Sequence, residues 1–446
     1  MTIHNNFALF SAAILASTLF FAACSDDSSS APEEKSSHEE ETSHEEHHGH
    51  HMEEPSEGDL TLGDEDIQDG FIFLQDTTIN GVLTVSTTTP GATVLKNVKV
   101  TGNLLIKRSG RVDFSGSADV VHVGSSNTDV YAFEDEAQVN GHHFMGKNNT
   151  FTTKSFAEYQ NVDWTEKSVD LATGIHLAYT VTGDEKGTPV VLIHGLTDGR
   201  VSWSQVAPSL AKKGYRVYVP EYRGNGKTDK PIDESSYSVA ELASDIAAFV
   251  EKLGLKKVHI VGHSLGAFIA QELSITNAEI VSSITLIGSG ASVDKKNATL
   301  DWLVNGTDDE SFDGIYAYDS TQKLPESFIQ AWGYSMNPDK DFQAANLEHL
   351  KQVPYYVWKY LVKNLLKIDN TKRLSSIATD VQIIWGTKDA LFDSESQKTL
   401  QKGLSKAKSV VFHEVEGADH NTHWGSAEDV KTVTGYIDEF IKSLKK

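Results

Sequence analysis

An apolar run, Lys257-Val-His-Ile-Val261, leads directly into Gly262-His263-Ser264-Leu265-Gly266, and a stretch of helical character follows to Leu273. A chain that passes from strand to helix through one serine must turn sharply there, and the turn lifts the hydroxyl clear of the sheet edge. The serine is forced into a strained backbone conformation. Its neighbours two residues either side must then be small, as Gly262 and Gly266 are. A Gly-x-Ser-x-Gly pentapeptide also arises by chance, so its surroundings decide its meaning.

Those surroundings alternate strand with helix. Residues 168–171 and 175–181 read as a strand pair around Thr173-Gly174. Apolar strands are expected at 189–193, 215–219, 257–261, 281–287, 381–385 and 409–415. Between them, periodic segments predict helices near 201–212, 238–253, 265–273, 394–404 and 427–444. Buried strands alternating with amphipathic helices predict an α/β domain over residues 156–446, built on a doubly wound, mostly parallel sheet. The rhythm breaks only between 290 and 373. That insertion is rich in aromatics, including Trp302, Phe312, Tyr316, Tyr318, Phe328, Trp332, Tyr334 and Trp358.

The first third of the chain differs. Residues 60–155 hold short β-branched runs, such as Gly81-Val-Leu-Thr-Val85 and Asp119-Val-Val-His-Val123, punctuated by Gly, Asn and Ser. This predicts a small all-β domain, a solenoid or alternatively a sandwich. Asp113, Asp119, His122, His142 and His143 read as polar residues on its solvent face. Residues 25–59 carry almost no apolar side chains and read as a disordered acidic tether. From residue 25 to 69 there are seventeen acidic residues against one lysine, which accounts for most of the formal charge of −24. No basic surface is left to neutralise phosphates, so nucleic acid is excluded as a partner. Within the tether, the tract from His44 to His51 offers imidazoles and carboxylates for loose binding of Zn²⁺ or Ni²⁺, without fixed geometry.

A serine hydroxyl needs a base within hydrogen-bond reach and an acid to orient that base. Asp389 follows the strand ending at Trp385, and His420 follows the next strand, so acid and base come after the serine in that order. His423 is the rival base, His413 falls inside a strand, and His263 is given a supporting role. The developing oxyanion needs two backbone N–H groups. The candidates are Leu265, directly after the serine, and Leu196, in the His194-Gly195-Leu196-Thr197 loop after an early strand.

Taken in order, the Leu-Ile-His194-Gly195 segment, Glu221-Tyr-Arg223-Gly224-Asn-Gly226-Lys-Thr-Asp229, Gly262-His-Ser264-Leu-Gly266, Gly386-Thr-Lys-Asp389 and Gly417-Ala-Asp-His420 resemble the α/β-hydrolase superfamily. The resemblance implies Ser264 as nucleophile, Asp389 as orienting acid and His420 as base then acid. It implies Leu196 and Leu265 as oxyanion donors, and structural roles for Arg223 and Asp229. It makes the 290–373 insertion a helical cap over the site. Epoxide hydrolases and haloalkane dehalogenases share the scaffold with aspartate at the elbow, so Ser264 argues against both. The expected activity is hydrolysis of a small or polymer-linked carboxylic ester, with no cofactor and no metal. Amide, thioester or carbon–carbon bond cleavage on the same three residues stays open, as does an envelope-anchored scaffold with a relic hydrolase fold.

At the other end, residues 7–23 form an apolar run broken only by Ser and Thr, which finishes Phe-Phe-Ala-Ala before Cys24, the single cysteine. This resembles the lipobox of bacterial lipoproteins, with residues 1–24 as signal peptide. It implies acylation of Cys24 and anchoring in the cell envelope, and Ser25 favours the outer membrane.

Overall fold

The computed structural model describes residues 50–51, 56, 58–132, 137–153, 164–307, 312–317, 324–333, 337 and 339–445. The segment expected to be a signal peptide, with Cys24, most of the segment expected to be an acidic tether, and residues 44–49 of the histidine tract lie outside the described residues.

Among the described residues the strands form two sheets. Every strand pairing in the first is parallel. Phe71 pairs with Ala92, Leu83 with Leu104 and Asp129 with Thr150, each 21 residues on. Parallel pairing throughout, between segments that follow one another along the chain, makes a β-solenoid and excludes the sandwich. Its interior is filled by Leu74, Ile79, Leu83, Val98, Leu104, Ile106, Val121 and Val130. The corners carry stacked left-handed residues. Asp76 (φ 50°) accepts the Asn97 side-chain amide at 2.9 Å, and Asn127 (φ 55°) accepts that of Asn148 at 3.1 Å. Asn and Asp tolerate this backbone better than other residues with a Cβ, which is why they mark the rungs. The pairing also begins earlier than the expected boundary at residue 60. His50–His51 pairs with Leu74–Gln75, and Ser56 bridges to Ile79. The Ser56 N–H donates to the Thr78 carbonyl and the Ser56 carbonyl accepts the Asn80 N–H, both at 3.0 Å, a main-chain pairing that hydropathy alone does not register.

The second sheet has strands β1 (Thr165–Asp170), β2 (His176–Thr182), β3 (Thr188–Ile193), β4 (Tyr215–Pro220), β5 (Val258–His263), β6 (Val281–Ile287), β7 (Asp380–Gly386) and β8 (Ser409–Val415). Their spatial order is β1-β2-β4-β3-β5-β6-β7-β8. β1–β2 and β2–β4 are antiparallel, and the rest are parallel. The helices are α1 (Val206–Ala211), α2 (Val239–Lys252), α3 (Leu265–Thr276), α4 (Ala298–Asn305), α5 (Glu326–Trp332), α6 (Lys340–Gln352), α7 (Tyr355–Leu365), α8 (Ser394–Gly403) and α9 (Ala427–Ser443). Two buried clusters flank the sheet, as a doubly wound fold requires. The helix expected from residue 201 is broken into a 3-10 turn, Arg200–Trp203, and α1. Pro208 has no N–H to donate to a preceding turn. A helix beginning at Val206 places it where that loss is harmless.

Helices α4 to α7 form the cap. Tyr318 and Tyr334 lie outside the described residues; the cap's described aromatics are largely its own core, where Phe312 stacks on Phe328 at 4.2 Å and Phe328 meets Trp358 edge-on at 5.3 Å. The chain from Gly49 to Lys446 is one unit, and the solenoid is docked within it. Solenoid residues Phe71 and Ala92 belong to a buried cluster of the α/β domain. Phe71 packs edge-on against Tyr356 at 5.0 Å. Burying that phenyl ring contributes about 2–3 kcal/mol. Lys96 pairs with Asp229 at 2.6 Å, and Arg111 donates to the Gln352 carbonyl at 2.7 Å.

Candidate active site

β5 ends at His263 and α3 begins at Leu265, so Ser264 alone makes the turn. Its φ of 51° and ψ of −117° are costly for a residue bearing a Cβ. The fold over-determines this conformation. The Ser264 N–H donates to the Ile287 carbonyl at 2.9 Å, and the Ser264 carbonyl accepts the Ala267 N–H at 2.9 Å. A Cβ on Gly262 would stand 2.2 Å from the Gly266 carbonyl oxygen, and one on Gly266 would stand 2.3 Å from that of Ile193. Both obstacles are backbone, so the two glycines are a steric requirement.

Asp389 lies in the turn after β7, and His420 in the loop after β8. His420 Nδ1 is 3.0 Å from Asp389 Oδ2 and 3.1 Å from Oδ1. A carboxylate only accepts, so Nδ1 carries the proton and Nε2 of the neutral ring is left as an acceptor. Asp389 Oδ1 also accepts the N–H groups of Leu391 at 2.8 Å and Phe392 at 3.1 Å, and the carboxyl group is fully buried. Burial opposes charge on His420. The charge and hydrogen bond of Asp389, with the charges of Asp419 and Asp198, outweigh it, and the pKa lies above 6.5.

The histidine and the serine meet through their neighbours. Gly288 follows Ile287, the residue bonded to Ser264. A Cβ on Gly288 would stand 3.1 Å from His420 Nδ1 and Cε1. His263, preceding Ser264, places Nε2 3.0 Å from the His420 carbonyl oxygen. The His420 loop is therefore held against the elbow from two sides.

The turn after β3 closes on the same point. Thr197 has φ 56°, and Tyr222 donates its hydroxyl to the Gly195 carbonyl at 2.5 Å. A Cβ on Gly195 would stand 2.7 Å from both Asp198 Oδ2 and His263 Nδ1. Leu196 and Leu265 are both buried. As the first residue of α3, Leu265 has an N–H with no intrahelical acceptor, at the positive end of the helix.

The remaining histidines have other surroundings. Burial pushes the His263 pKa below 6.5 and that of His423 well below it. His423 is fully buried between Trp203 and His263, with ring centroids 4.2 Å from each, so it is a packing residue. His413 stacks on Tyr436 at 3.9 Å. Arg223 is doubly hydrogen-bonded to buried Asp245, both contacts at 2.7 Å, and Asp229 accepts the His176 N–H at 2.8 Å. In the solenoid, Asp119 accepts from Asn140 at 3.0 Å, His122 and His143 lie edge-to-face at 5.7 Å, and His142 stacks on Phe151. Asp113 pairs with Arg111 at the junction with the cap instead of facing solvent freely.

Sequence reasoning missed a buried polar group behind the turn after β3. Glu221 accepts the Arg200 N–H at 3.3 Å, and His349 of α6 lies against Gly199. Burial raises the Glu221 pKa, but Arg200 and two imidazoles outweigh it and hold it below 4.5. Glu221 stood inside a matching motif. His349 had no local signal.

This geometry defines a hydrolase-type site on a doubly wound sheet. Residues 188–427 match the family model described as the alpha/beta hydrolase fold, and the chain belongs to that family. Epoxide hydrolase 1 of Caenorhabditis elegans is 26% identical over 322 residues, covering 68% of this chain and 77% of that protein. The 2-hydroxy-6-oxononadienedioate/2-hydroxy-6-oxononatrienedioate hydrolase 1 of Pseudomonas putida is 28% identical over 292 residues, covering 61% and 93%. Among solved structures, a hydrolase from Pseudomonas aeruginosa PA01 superposes with a TM-score of 0.52 at 17% identity, covering 62% of this chain and 98% of that one. An esterase from Exiguobacterium antarcticum does so with a TM-score of 0.52 at 19% identity, covering 63% and 99%. At these identities the two structures establish the fold.

Proposed function

We propose that the chain is a serine hydrolase that cleaves a carboxylic ester through an acyl-enzyme. The observation that carries this reading is the strained Ser264 turn, with the His420–Asp389 pair held against it. The Ser264 hydroxyl gives its proton to His420 Nε2 as Oγ attacks the ester carbonyl. The Leu196 and Leu265 N–H groups receive the negative oxygen. On collapse the carbon–oxygen bond breaks, and the alcohol leaves with the proton from His420. Water, deprotonated by the same imidazole, then attacks the acyl-serine, and the acid is released with Ser264 restored. Asp389 keeps Nδ1 protonated throughout.

The serine is what separates this reading from that of relatives named for epoxides, whose superfamily branch has aspartate at the elbow. The test is turnover of a panel of esters, thioesters, amides and diketone-type carbon–carbon substrates, with Ser264→Ala as control. Ester hydrolysis that vanishes in the variant is the expected result. Esters left intact while an amide or carbon–carbon substrate is cleaved would replace the ester assignment.

We also infer that the enzyme is lipid-anchored in the envelope through Cys24, from the apolar run that precedes it. No helix among the described residues is long and apolar enough to cross a membrane.

A further inference from the structure

No step of the acyl transfer uses the solenoid. We propose that the solenoid nevertheless positions the oxyanion loop, with Arg111 as the positioning residue and α6 as the element that connects them. This deepens the Ser264 reading and rests on it.

The connection can be followed atom by atom. Arg111 Nη2 donates to the carbonyl of Gln352, the last residue of α6. Terminal helix carbonyls lack intrahelical donors and form the negative end of the helix, so a guanidinium is a fitting partner. The guanidinium is itself fixed. Its Nε and Nη2 lie 2.8 and 2.7 Å from the Asp113 carboxylate, and its carbon lies 4.0 Å above the Tyr131 ring. Four residues past Gln352, Tyr356 meets solenoid residue Phe71. The solenoid thus grips the corner between α6 and α7 on both sides.

The other end of the connection is in the active site. His349, one turn before Gln352, lies against Gly199. A Cβ there would stand 2.2 Å from His349 Cε1 and 2.7 Å from both ring nitrogens. Gly199 stands three residues from Leu196, and the His349 ring that faces it is fully buried. Further back along α6, Phe342 and Ala345 pack with Val201 and Trp424. Val201 follows the oxyanion loop, and Trp424 follows the His420 loop. One helix therefore touches both loops that must converge on Ser264, and its C-terminal end is fixed by Arg111. A displacement of about 1 Å at a reacting centre costs on the order of a hundredfold in rate, so slack at that end matters.

The test uses the full chain with Arg111→Met/Asp113→Asn, which removes the contact without stranding a charge, and Arg111→Lys, which keeps a cation for Asp113 but shortens the reach to Gln352. The first readout is hydrogen exchange of amides 195–200, and the second is kcat and KM on p-nitrophenyl acetate. Expected are at least tenfold faster exchange of those amides and a kcat about tenfold lower, with KM within twofold and Arg111→Lys between the extremes. Unchanged loop exchange and kcat, even with a lower melting temperature, would overturn the proposal. So would a rise in KM alone. If the double variant does not fold, Arg111→Lys decides by the same readouts. If the wild type carries no adduct on Ser264 after fluorophosphonate treatment, the nucleophile reading fails, while the exchange result still decides the positioning.

Discussion

Replacing Asp389 with asparagine changes a few atoms and should nearly silence the enzyme. The carboxylate accepts three donors: His420 Nδ1, Leu391 N–H and Phe392 N–H. Asparagine can keep the two main-chain bonds with its carbonyl, so the turn survives, and the cost to folding is about 1 kcal/mol. Its amide then faces Nδ1, which must accept. The ring proton moves to Nε2, where the serine proton has to go. Reversing the tautomer in a serine triad costs roughly 10⁴ in kcat, or about 5.4 kcal/mol of barrier. A second signature follows from charge. Burial lowers the His420 pKa, and Asp389 contributes most among the carboxylates that together hold it above 6.5. Wild-type activity therefore falls as pH drops through that raised value, because the protonated ring cannot accept. Without the carboxylate, burial prevails, and the acid limb of kcat against pH moves to lower pH. Steady-state kinetics from pH 5 to 9, with circular dichroism to verify folding, measures both. A kcat within tenfold of wild type, or an unmoved acid limb, would refute this account of His420.

Other substitutions probe separate parts. Ser264→Gly should abolish turnover yet raise stability by about 1 kcal/mol, since glycine takes φ 51° without strain; a lower melting temperature would count against a strained elbow. Gly199→Ala should cost about 1–3 kcal/mol, because its Cβ meets the His349 ring at 2.2 Å; a neutral effect in denaturant titration would mean that α6 is not held there. Arg223→Met leaves the Asp245 carboxylate buried without its cation and should cost about 3–5 kcal/mol with little change in KM; a large rise in KM would give Arg223 a substrate role. Cys24→Ser should release the protein from the membrane pellet into the soluble fraction, and an unaltered pellet would remove the lipid anchor.

Much of the site was legible because its signals are local. The pair Gly262 and Gly266 reports a steric demand met within five residues, and Asp389 and His420 each follow directly on an apolar strand. Strand alternation from Thr188 onward located the parallel sheet. The solenoid was half legible. Asp76 with Asn97 and Asn127 with Asn148 keep a 21-residue spacing, but Gly110 pairs with Thr128 at 18 and Leu104 with Val121 at 17, which blurs the repeat. The pairing of His50 and His51 with the solenoid was hidden because main-chain pairing leaves no hydropathic trace in polar residues. The docking was not legible at all. Arg111 and Gln352 are 241 residues apart, and neither stands in a motif. His349 reads as an ordinary polar position on a helix until the tertiary fold buries it against Gly199.

The most direct test of the account is where a fluorophosphonate becomes attached. Treatment of the folded chain, digestion and peptide mass mapping should find one adduct, on Ser264, with labelling at least a thousandfold slower in His420→Ala. An adduct on another residue, or a folded protein that stays unlabelled, would contradict the assignment of Ser264 as the nucleophile.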